Sequence, residues 1–234
     1  LRVSSAIDDA AAFFTARAFD NRASDLESLK SNIDLAISTI QAAIDGIDAI
    51  TDIVQQAKGI ASAAKATGDT NERSTLAVQF NELLSQINSI ANDSTFNGLN
   101  LLQATPDNLA VEFNEDNTSN LTITGLDATT ATSGINIAVA ANNFGLNANI
   151  DTALTAISSA LTTLRSNAST LGSNNTILTT RLDFTKNLVN TLETGSGKLT
   201  LADLNEESAN LLALQTRQQL GLNSLALASQ SERA

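Results

Sequence analysis

Two adjacent carboxylates, Asp8 and Asp9, have a type and spacing that could support chemistry in this chain. A pair of carboxylates can hold a metal ion or divide general acid and base work between them. The same pair also suits the start of a helix, where negative side chains interact favourably with the positive helix end. We favour the second interpretation, and Ser5 followed by Asp8 is a matching cap pattern.

Two further stretches contain groups that could bind a ligand. NEDNTSN at 114–120 is rich in oxygen-bearing side chains, but it lacks the glycine and the terminal glutamate of a calcium-binding loop. We expect it to be a solvated hairpin loop. ETGSGK at 193–198 lacks the spacing of a phosphate-binding loop and follows a helical pattern instead of a strand, so we expect a flexible joint.

The composition removes most of the remaining catalytic groups. The chain has no His and no Cys, which excludes the commonest general base, thiol nucleophiles and thiolate metal sites. Its Ser, Thr, Lys, Asp and Glu residues form no familiar nucleophile motif. The sequence therefore predicts a protein that is not an enzyme and that has neither a cofactor nor a metal site.

The charge of the chain limits its partners. A formal net charge of −12 argues against a nucleic-acid partner, because phosphate binding requires clustered Lys and Arg. It disfavours acidic membrane surfaces for the same reason. The longest nearly uncharged stretch, 211–230, contains several glutamines and Arg217, so it is a poor transmembrane helix and we expect no membrane insertion.

Apolar residues in the first part of the chain recur in steps of mainly three and four, the spacing that keeps one helix face against a partner helix. In the first helix, from about residue 15 to 64, they are Leu26, Leu29, Ile33, Ile37, Ile40, Ile44, Ile47, Ile50, Val54, Ala57, Ile60 and Ala64. In the second they are Leu76, Phe80, Leu83, Ile87 and Ile90. Asp69 or Thr70 is the expected N-cap of this second helix. We assign residues 1–102 to the N-terminal part of a helical rod.

Between residues 103 and 149 the period changes to the two-residue alternation of strands. The alternating apolar residues are Leu109, Val111 and Phe113, then Leu121 and Ile123, and then Ile135, Ile137 and Val139. Just before this region, Asn97 and Gly98 supply a tight turn, because both residue types tolerate positive φ. The sequence thus predicts a small antiparallel β insert at 103–149.

A third helix is predicted at 150–192, with Asn149 as its N-cap. It follows strict four-three steps through Ile150, Leu154, Ile157, Leu161, Leu164, Ala168, Leu171, Asn175, Leu178, Leu182, Thr185, Val189 and Leu192. A strict seven-residue repeat predicts left-handed supercoiling, and the polar Asn175 and Thr185 are expected to fix its register. The predicted fold is mainly α: an elongated antiparallel helical bundle or coiled-coil rod with a small antiparallel β insert.

The C-terminal segment, 193–234, contains a helix with two apolar faces, opened by Thr200 and Asp203. At 100° per residue, one face has Leu204, Leu211, Leu214, Leu222 and Leu225, and the other has Leu212, Leu220 and Leu227. Arg217 lies in the gap beyond both faces. Such a helix needs at least two neighbours, so we predict that these leucines form a subunit interface. The simpler alternative is a helix buried in a larger bundle.

The order of elements and three segments resemble bacterial flagellin. The segments are LRVSSAIDDAAAFFTARA at 1–18, FNELLSQINSIANDSTFNGLNLL at 80–102 and ESANLLALQTRQQLGLNSLALASQ at 207–230. They are similar to the S-A-x-D-D-A-A-G segment, the E-x-x-L-x-x-I-x-x-x-A-x-x-T-x-F-N-G stretch and the polymerising C-terminal helix of that family. The insert matches little and is short, as in a short-type flagellin whose variable outer region is small.

The resemblance implies a structural subunit that self-assembles into the flagellar filament and supports motility. It implies secretion as an unfolded chain and an extracellular location in the filament. The implied partners are further copies of the chain, a flagellar export chaperone and the filament cap. It also implies a helix upstream of Leu1 that pairs with the C-terminal helix, so this chain is expected to be truncated at its N-terminus.

Two alternatives share parts of the pattern. A hook–filament junction protein has the same terminal helices, but typically an aromatic-glycine motif and a larger insert where this chain has STFNGLNLL at 94–102. A surface-located glycan-binding or adhesive protein would need exposed aromatic platforms, and the insert has only Phe113 and Phe144. Both alternatives rank below a filament subunit.

Overall fold

The structure, a computed structural model, describes residues 1–231, without the side chains of Leu204 and residues 227–231. The chain divides into two compact units. Unit 1 contains Leu1–Ser24 and the chain from Leu188 onward, and unit 2 contains Asp25–Asn187. The two longest helices each contribute to both units.

The described chain is mainly helical. Its helices are α1 (Ala10–Ala66), α2 (Thr70–Asp93), α3 (Asn147–Thr200) and α4 (Leu204–Ser231). Its strands are β1 (Thr95–Phe96), β2 (Leu99–Asn100), β3 (Leu109–Glu112) and β4 (Asn120–Ile123), and a short 3₁₀ turn covers Ala141–Phe144. This confirms the predicted fold class, a helical bundle with a small β insert.

In unit 2, α1 and α3 pack in antiparallel directions, since Lys65 near the end of α1 pairs with Asp151 near the start of α3. The buried residues of α1 follow the three-four spacing of a coiled coil: Ile33, Ala36, Ile40, Ala43, Ile47, Ile50, Val54, Ala57, Ala61 and Ala64. The period was predicted, but Ile37, Ile44 and Ile60 are only half-buried at the edge of the core. Alanines occupy half of these buried positions, where their small side chains let the helices approach closely.

The α3 face matches its prediction more closely. Ile150, Ile157, Leu164, Leu171 and Leu178 are all fully buried, and Thr185 is 2% exposed. Asn175 interrupts the apolar series, and its buried Oδ1 accepts no hydrogen bond from the described residues. The helix begins three residues before the predicted start, at Asn147. Asn149 is therefore not its N-cap, and its amide donates to the carbonyl of Ala141 instead.

The β insert contains one of the predicted strand pairs. β3 and β4 are antiparallel, with Leu109 opposite Ile123 and Val111 opposite Leu121. The third predicted strand, at 135–139, does not form. Ile135 and Ile137 are buried, but the backbone there turns back on itself, since Ile135 N and Ile137 N donate to the carbonyls of Thr129 and Thr130.

Gly46 on α1 tests the close packing of unit 2. A Cβ at this position would overlap Ser94 Oγ and lie 2.8 Å from Leu102 Cδ1, so we expect Gly46→Ala to destabilise the protein by about 1–3 kcal/mol. Gly59 lies on the same helix with no atom within 4 Å of an added Cβ. Gly59→Ala should therefore stabilise by about 0.5–1 kcal/mol. Urea unfolding of both variants measures the change in the free energy of unfolding. Equal changes of the same sign would contradict the close packing at Gly46.

In unit 1 the predicted joint at 193–198 is wrong, because α3 continues through it to Thr200. The reason is packing: a Cβ on Gly195 would lie 3.2 Å from the Phe19 ring, and Ser196 is buried. Glycine costs helix stability but permits this close contact with α1. Only residues 201–203 separate α3 from α4.

Candidate self-assembly surface

The start of α4 is fixed by Asp203. Its Oδ1 accepts hydrogen bonds from the backbone N–H of Asn205 at 2.8 Å and of Glu206 at 3.5 Å, which satisfies donors that have no partner within the helix. Glu206 and Glu207 then occupy the first turn, where their charge favours the positive helix end. The remainder is rich in Leu, Ala and Gln, which are strong helix formers.

The side chains of α4 are exposed along its described length. Every residue from 205 to 226 is exposed. The predicted interface leucines are 54% to 70% exposed: Leu211, Leu212, Leu214, Leu220, Leu222 and Leu225. The other two predicted interface residues, Leu204 and Leu227, lie outside the described side chains. A soluble domain rarely leaves this many leucines exposed on one helix.

The N-terminal segment packs beside the end of α3, also in unit 1. The backbone N–H groups of Arg2 and Val3 donate to the carbonyl of Thr200 at 2.7 and 3.2 Å. The Arg2 guanidinium donates to the carbonyl of Leu199, and Val3 is buried. These contacts satisfy carbonyls at the C-terminal end of α3, where a positive charge is favourable.

The carboxylates of Asp8 and Asp9 hold the turn that enters α1. They precede the helix instead of lying in its first turn. Asp9 Oδ1 accepts from Ala12 N at 3.0 Å, as an N-cap does. Asp8 Oδ2 accepts from the N–H and hydroxyl groups of Ser4 and Ser5 at 2.9–3.1 Å. Both carboxylates thus have structural partners, in agreement with the helix-start interpretation.

The turn at Asp8 should depend on pH. Hydrogen bonds from the backbone of Ser4 and Ser5, and then from their hydroxyls, hold the pKa of Asp8 below the ordinary value of an aspartate. A pKa lowered by folding means that the turn is stabilised above the unfolded-state pKa and loses that contribution as the pH falls through the folded-state pKa. In a carboxyl NMR titration, the Asp8 midpoint should lie below that of a peptide containing residues 1–12. Equal midpoints would contradict these hydrogen bonds.

The turn residues Asn97 and Gly98 connect β1 and β2, with φ of 50° and 79°. Both values lie in the left-handed region that Asn and Gly tolerate. Asn100, two residues after Gly98, is 3% exposed and was not among the predicted site residues. Its position as a polar residue inside the apolar run LNLL at 99–102 is the sequence signal that could have predicted its burial.

The Asn100 side chain joins the end of α2 to the following loop. Its amide nitrogen donates to the carbonyls of Ala91 and Asn92 at 2.9 and 2.8 Å. Its oxygen accepts from the N–H groups of Leu102 and Gln103 at 2.7 and 3.0 Å. One buried side chain therefore satisfies four backbone groups, and its function is structural.

No group of three or more potential metal ligands is found among the described residues. Within residues 1–231, no helix has both the length and the apolar character needed to cross a membrane. The acidic loop at 114–120 is held by internal hydrogen bonds: the Asn114 side chain donates to the Thr118 hydroxyl and accepts from the backbone N–H of Ser119. The feature that the geometry singles out is therefore the exposed leucine surface of α4.

Comparison with known proteins identifies the family of the chain. Residues 1–107 match the bacterial flagellin N-terminal helical region, and residues 154–233 match the bacterial flagellin C-terminal helical region. The chain is 34% identical to flagellin FljM of Caulobacter vibrioides, over 98% of this chain and 83% of that protein. The chain belongs to the bacterial flagellin family.

Further similarities agree with this assignment. Flagellin FljO of the same organism is 33% identical over 100% of this chain and 84% of its own length. A flagellin of Brucella melitensis is 30% identical over 70% of this chain and 61% of its own length. The crystal structure of Bacillus cereus flagellin shares the fold, with a TM-score of 0.57 at 20% identity, over 66% of this chain and 88% of that chain.

Membership of the flagellin family establishes the general function. The protein is a structural, non-enzymatic subunit of the extracellular flagellar filament, and it self-assembles. The two alternatives, a hook–filament junction protein and a glycan-binding surface protein, gain no support, because these relatives are flagellins.

Proposed function

We propose that α4 is the polymerisation helix of this flagellin and that its leucines are the subunit interface. One observation carries the proposal: residues 205–226 are exposed throughout, although Leu211, Leu214, Leu222 and Leu225 align on one face and Leu212 and Leu220 on another. Full burial of a leucine contributes roughly 1.5–3 kcal/mol. A helix with this much apolar surface gains that free energy only when it contacts other helices.

The two faces fit two neighbours in the filament. One face packs on a helix of the same subunit, and the other packs on the adjacent subunit. Arg217 lies between the faces on the side where the exposed Asn210 and Ser224 also lie. This polar stripe marks the side of α4 that remains closest to water.

The same proposal assigns each segment of the chain a position in the filament. Residues 1–102 and 150–192 form the helical part that associates side by side, and the segment from 193 onward joins subunits in the filament interior. The short β insert at 103–149 forms the outer surface. The polar tip of the insert supports this assignment, since Glu115, Asp116 and Asn117 are all exposed.

Thiol labelling tests the proposal, because the native chain has no cysteine. Leu222→Cys should react quickly in the free subunit and at least tenfold more slowly in filaments. Asp116→Cys, at the tip of the insert, is the matched control and should react at the same rate in both states. Equal rates for Leu222→Cys in subunit and filament would contradict burial of α4.

The export chaperone and the filament cap are further proposed partners, supported by the resemblance to flagellins and by the exposed leucines. An apolar surface of this size favours aggregation before assembly, and a chaperone that covers it would prevent this. The labelled Leu222→Cys chain reports on that contact as well. Adding the purified chaperone should slow its reaction, whereas the reaction of Asp116→Cys should not change.

A further inference from the structure

The turn between β1 and β2 contains Asn97 and Gly98, the one Asn-Gly pair in the sequence. Both residues are exposed, and a Cβ added to Gly98 would meet no atom within 4 Å. Asparagine is a chemically labile residue, and its reactivity is greatest where the following residue has no side chain to hinder the backbone nitrogen. The turn therefore has the sequence and the exposure of a modification site.

The reaction takes place between the two turn residues. The backbone nitrogen of Gly98, after transfer of its proton to solvent hydroxide, attacks the side-chain Cγ of Asn97. The new N–Cγ bond closes a succinimide ring, the Cγ–Nδ2 bond breaks, and ammonia leaves with a proton taken from water. A water molecule then opens the ring at either of its carbonyl carbons. The product is aspartate or isoaspartate, and water is the only co-reactant.

Local contacts leave both reacting groups free. Within the part of the chain that the structure describes, neither the Asn97 side chain nor the Gly98 N–H takes part in a hydrogen bond. The strands on either side are two residues long, and Thr95 and Phe96 are exposed. A two-stranded hairpin has little stability of its own, so the turn can open locally to the backbone geometry that ring closure requires.

Asn136 provides a comparison within the same chain. It is exposed, and its φ of 52° is close to the 50° of Asn97. The next residue is Ile137, whose branched side chain hinders approach to its backbone nitrogen. The N–H of Ile137 also donates to the carbonyl of Thr130 at 3.2 Å. Asn136 thus has a similar backbone conformation but lacks an accessible nucleophile.

We propose that Asn97 is a site of spontaneous deamidation, in which water converts the side-chain amide into a carboxylate and part of the product is isoaspartate. Each event adds one negative charge to a chain whose net charge is −12. In isoaspartate the main chain passes through Cβ, so the connection between Phe96 and Leu99, which pair across the turn, becomes longer. The modified fraction increases with the age of the subunit.

Peptide mapping by mass spectrometry tests the proposal on the purified subunit, incubated in mildly alkaline buffer below its melting temperature. Deamidation at Asn97 should be at least about tenfold faster than at Asn136, which corresponds to a barrier about 1.4 kcal/mol lower. The rate should increase with pH, because the attacking nitrogen has to lose its proton. Part of the product should accept a methyl group from an isoaspartyl methyltransferase. Equal rates at Asn97 and Asn136, or no conversion at Asn97, would overturn the proposal.

Asn97→Gly is the matched variant. Glycine tolerates the positive φ of this position, so the turn is retained whereas the amide is removed. On anion exchange, incubation should convert the native chain to a more acidic species, and the variant should remain unchanged. Formation of the same species at the same rate in the variant would place the reaction at another residue and overturn the assignment to Asn97. Both readouts use the unassembled subunit, so they are independent of the burial of α4 in filaments.

Discussion

Aspartate at both Leu222 and Leu225 should abolish filament formation while unit 2 remains folded. These side chains are 69% and 70% exposed in the subunit, so the substitutions remove little intrachain packing. If both leucines are buried on assembly, the loss is about 3–6 kcal/mol per subunit from the apolar contacts alone. At tenfold per 1.4 kcal/mol, the critical concentration should rise at least hundredfold. Sedimentation measures assembly, and circular dichroism measures folding.

The matched control adds the same charge to the same helix on its polar side. Asn210→Asp with Ser224→Asp places two carboxylates on the same side of α4 as Arg217, and both residues are exposed. Because neither residue belongs to an apolar face, the control should assemble at close to the native concentration. Equal loss of assembly in both double variants would show that charge, and not the leucine faces, governs the result.

The second large effect is expected at Asn100. Replacing it with alanine removes hydrogen bonds to four backbone groups and leaves buried partners unsatisfied, each at a cost of about 1–3 kcal/mol. Because some of these groups can rearrange, we expect a net destabilisation of about 3 kcal/mol. For a domain of this size that corresponds to a fall in melting temperature of roughly 6–12 °C. Differential scanning calorimetry provides the measurement.

Asn92→Ala is the appropriate control for Asn100→Ala. The Asn92 side chain is exposed, and the hydrogen bond from Asn100 goes to its backbone carbonyl, which alanine retains. The control should therefore change stability by less than about 0.5 kcal/mol. A small effect of Asn100→Ala, equal to that of the control, would mean that the loop after β2 does not depend on this side chain.

The helical part of the fold could be predicted because its apolar period is strong, but the phase of the pattern was partly wrong. In α2 the buried residues are Ala77, Phe80, Leu84, Ile87 and Ala91, whereas Leu76, Leu83 and Ile90 are half-buried. The sequence pattern placed Leu76, Leu83 and Ile90 in the core because large apolar side chains were taken as the buried ones. Close helix contacts instead select alanine, and only the packed structure shows where the helices approach closely.

Local signals failed where tertiary contacts decide the conformation. The glycines of ETGSGK predicted a joint, but the packing of Gly195 against Phe19 keeps α3 helical. The alternation at 135–139 predicted a strand, but hydrogen bonds to Thr129 and Thr130 form a compact turn. For α4 the helical period of 100° per residue predicted the two leucine faces, and only the structure could show that both are exposed.

The most direct test of the central claim is an electron cryo-microscopy map of filaments formed by the complete native flagellin. We predict that α4 lies in the filament interior, with Leu222 and Leu225 in contact with other helices and Arg217 on the most hydrated side. A map in which the leucines of α4 face solvent, or in which filaments form without contacts from this helix, would contradict the account.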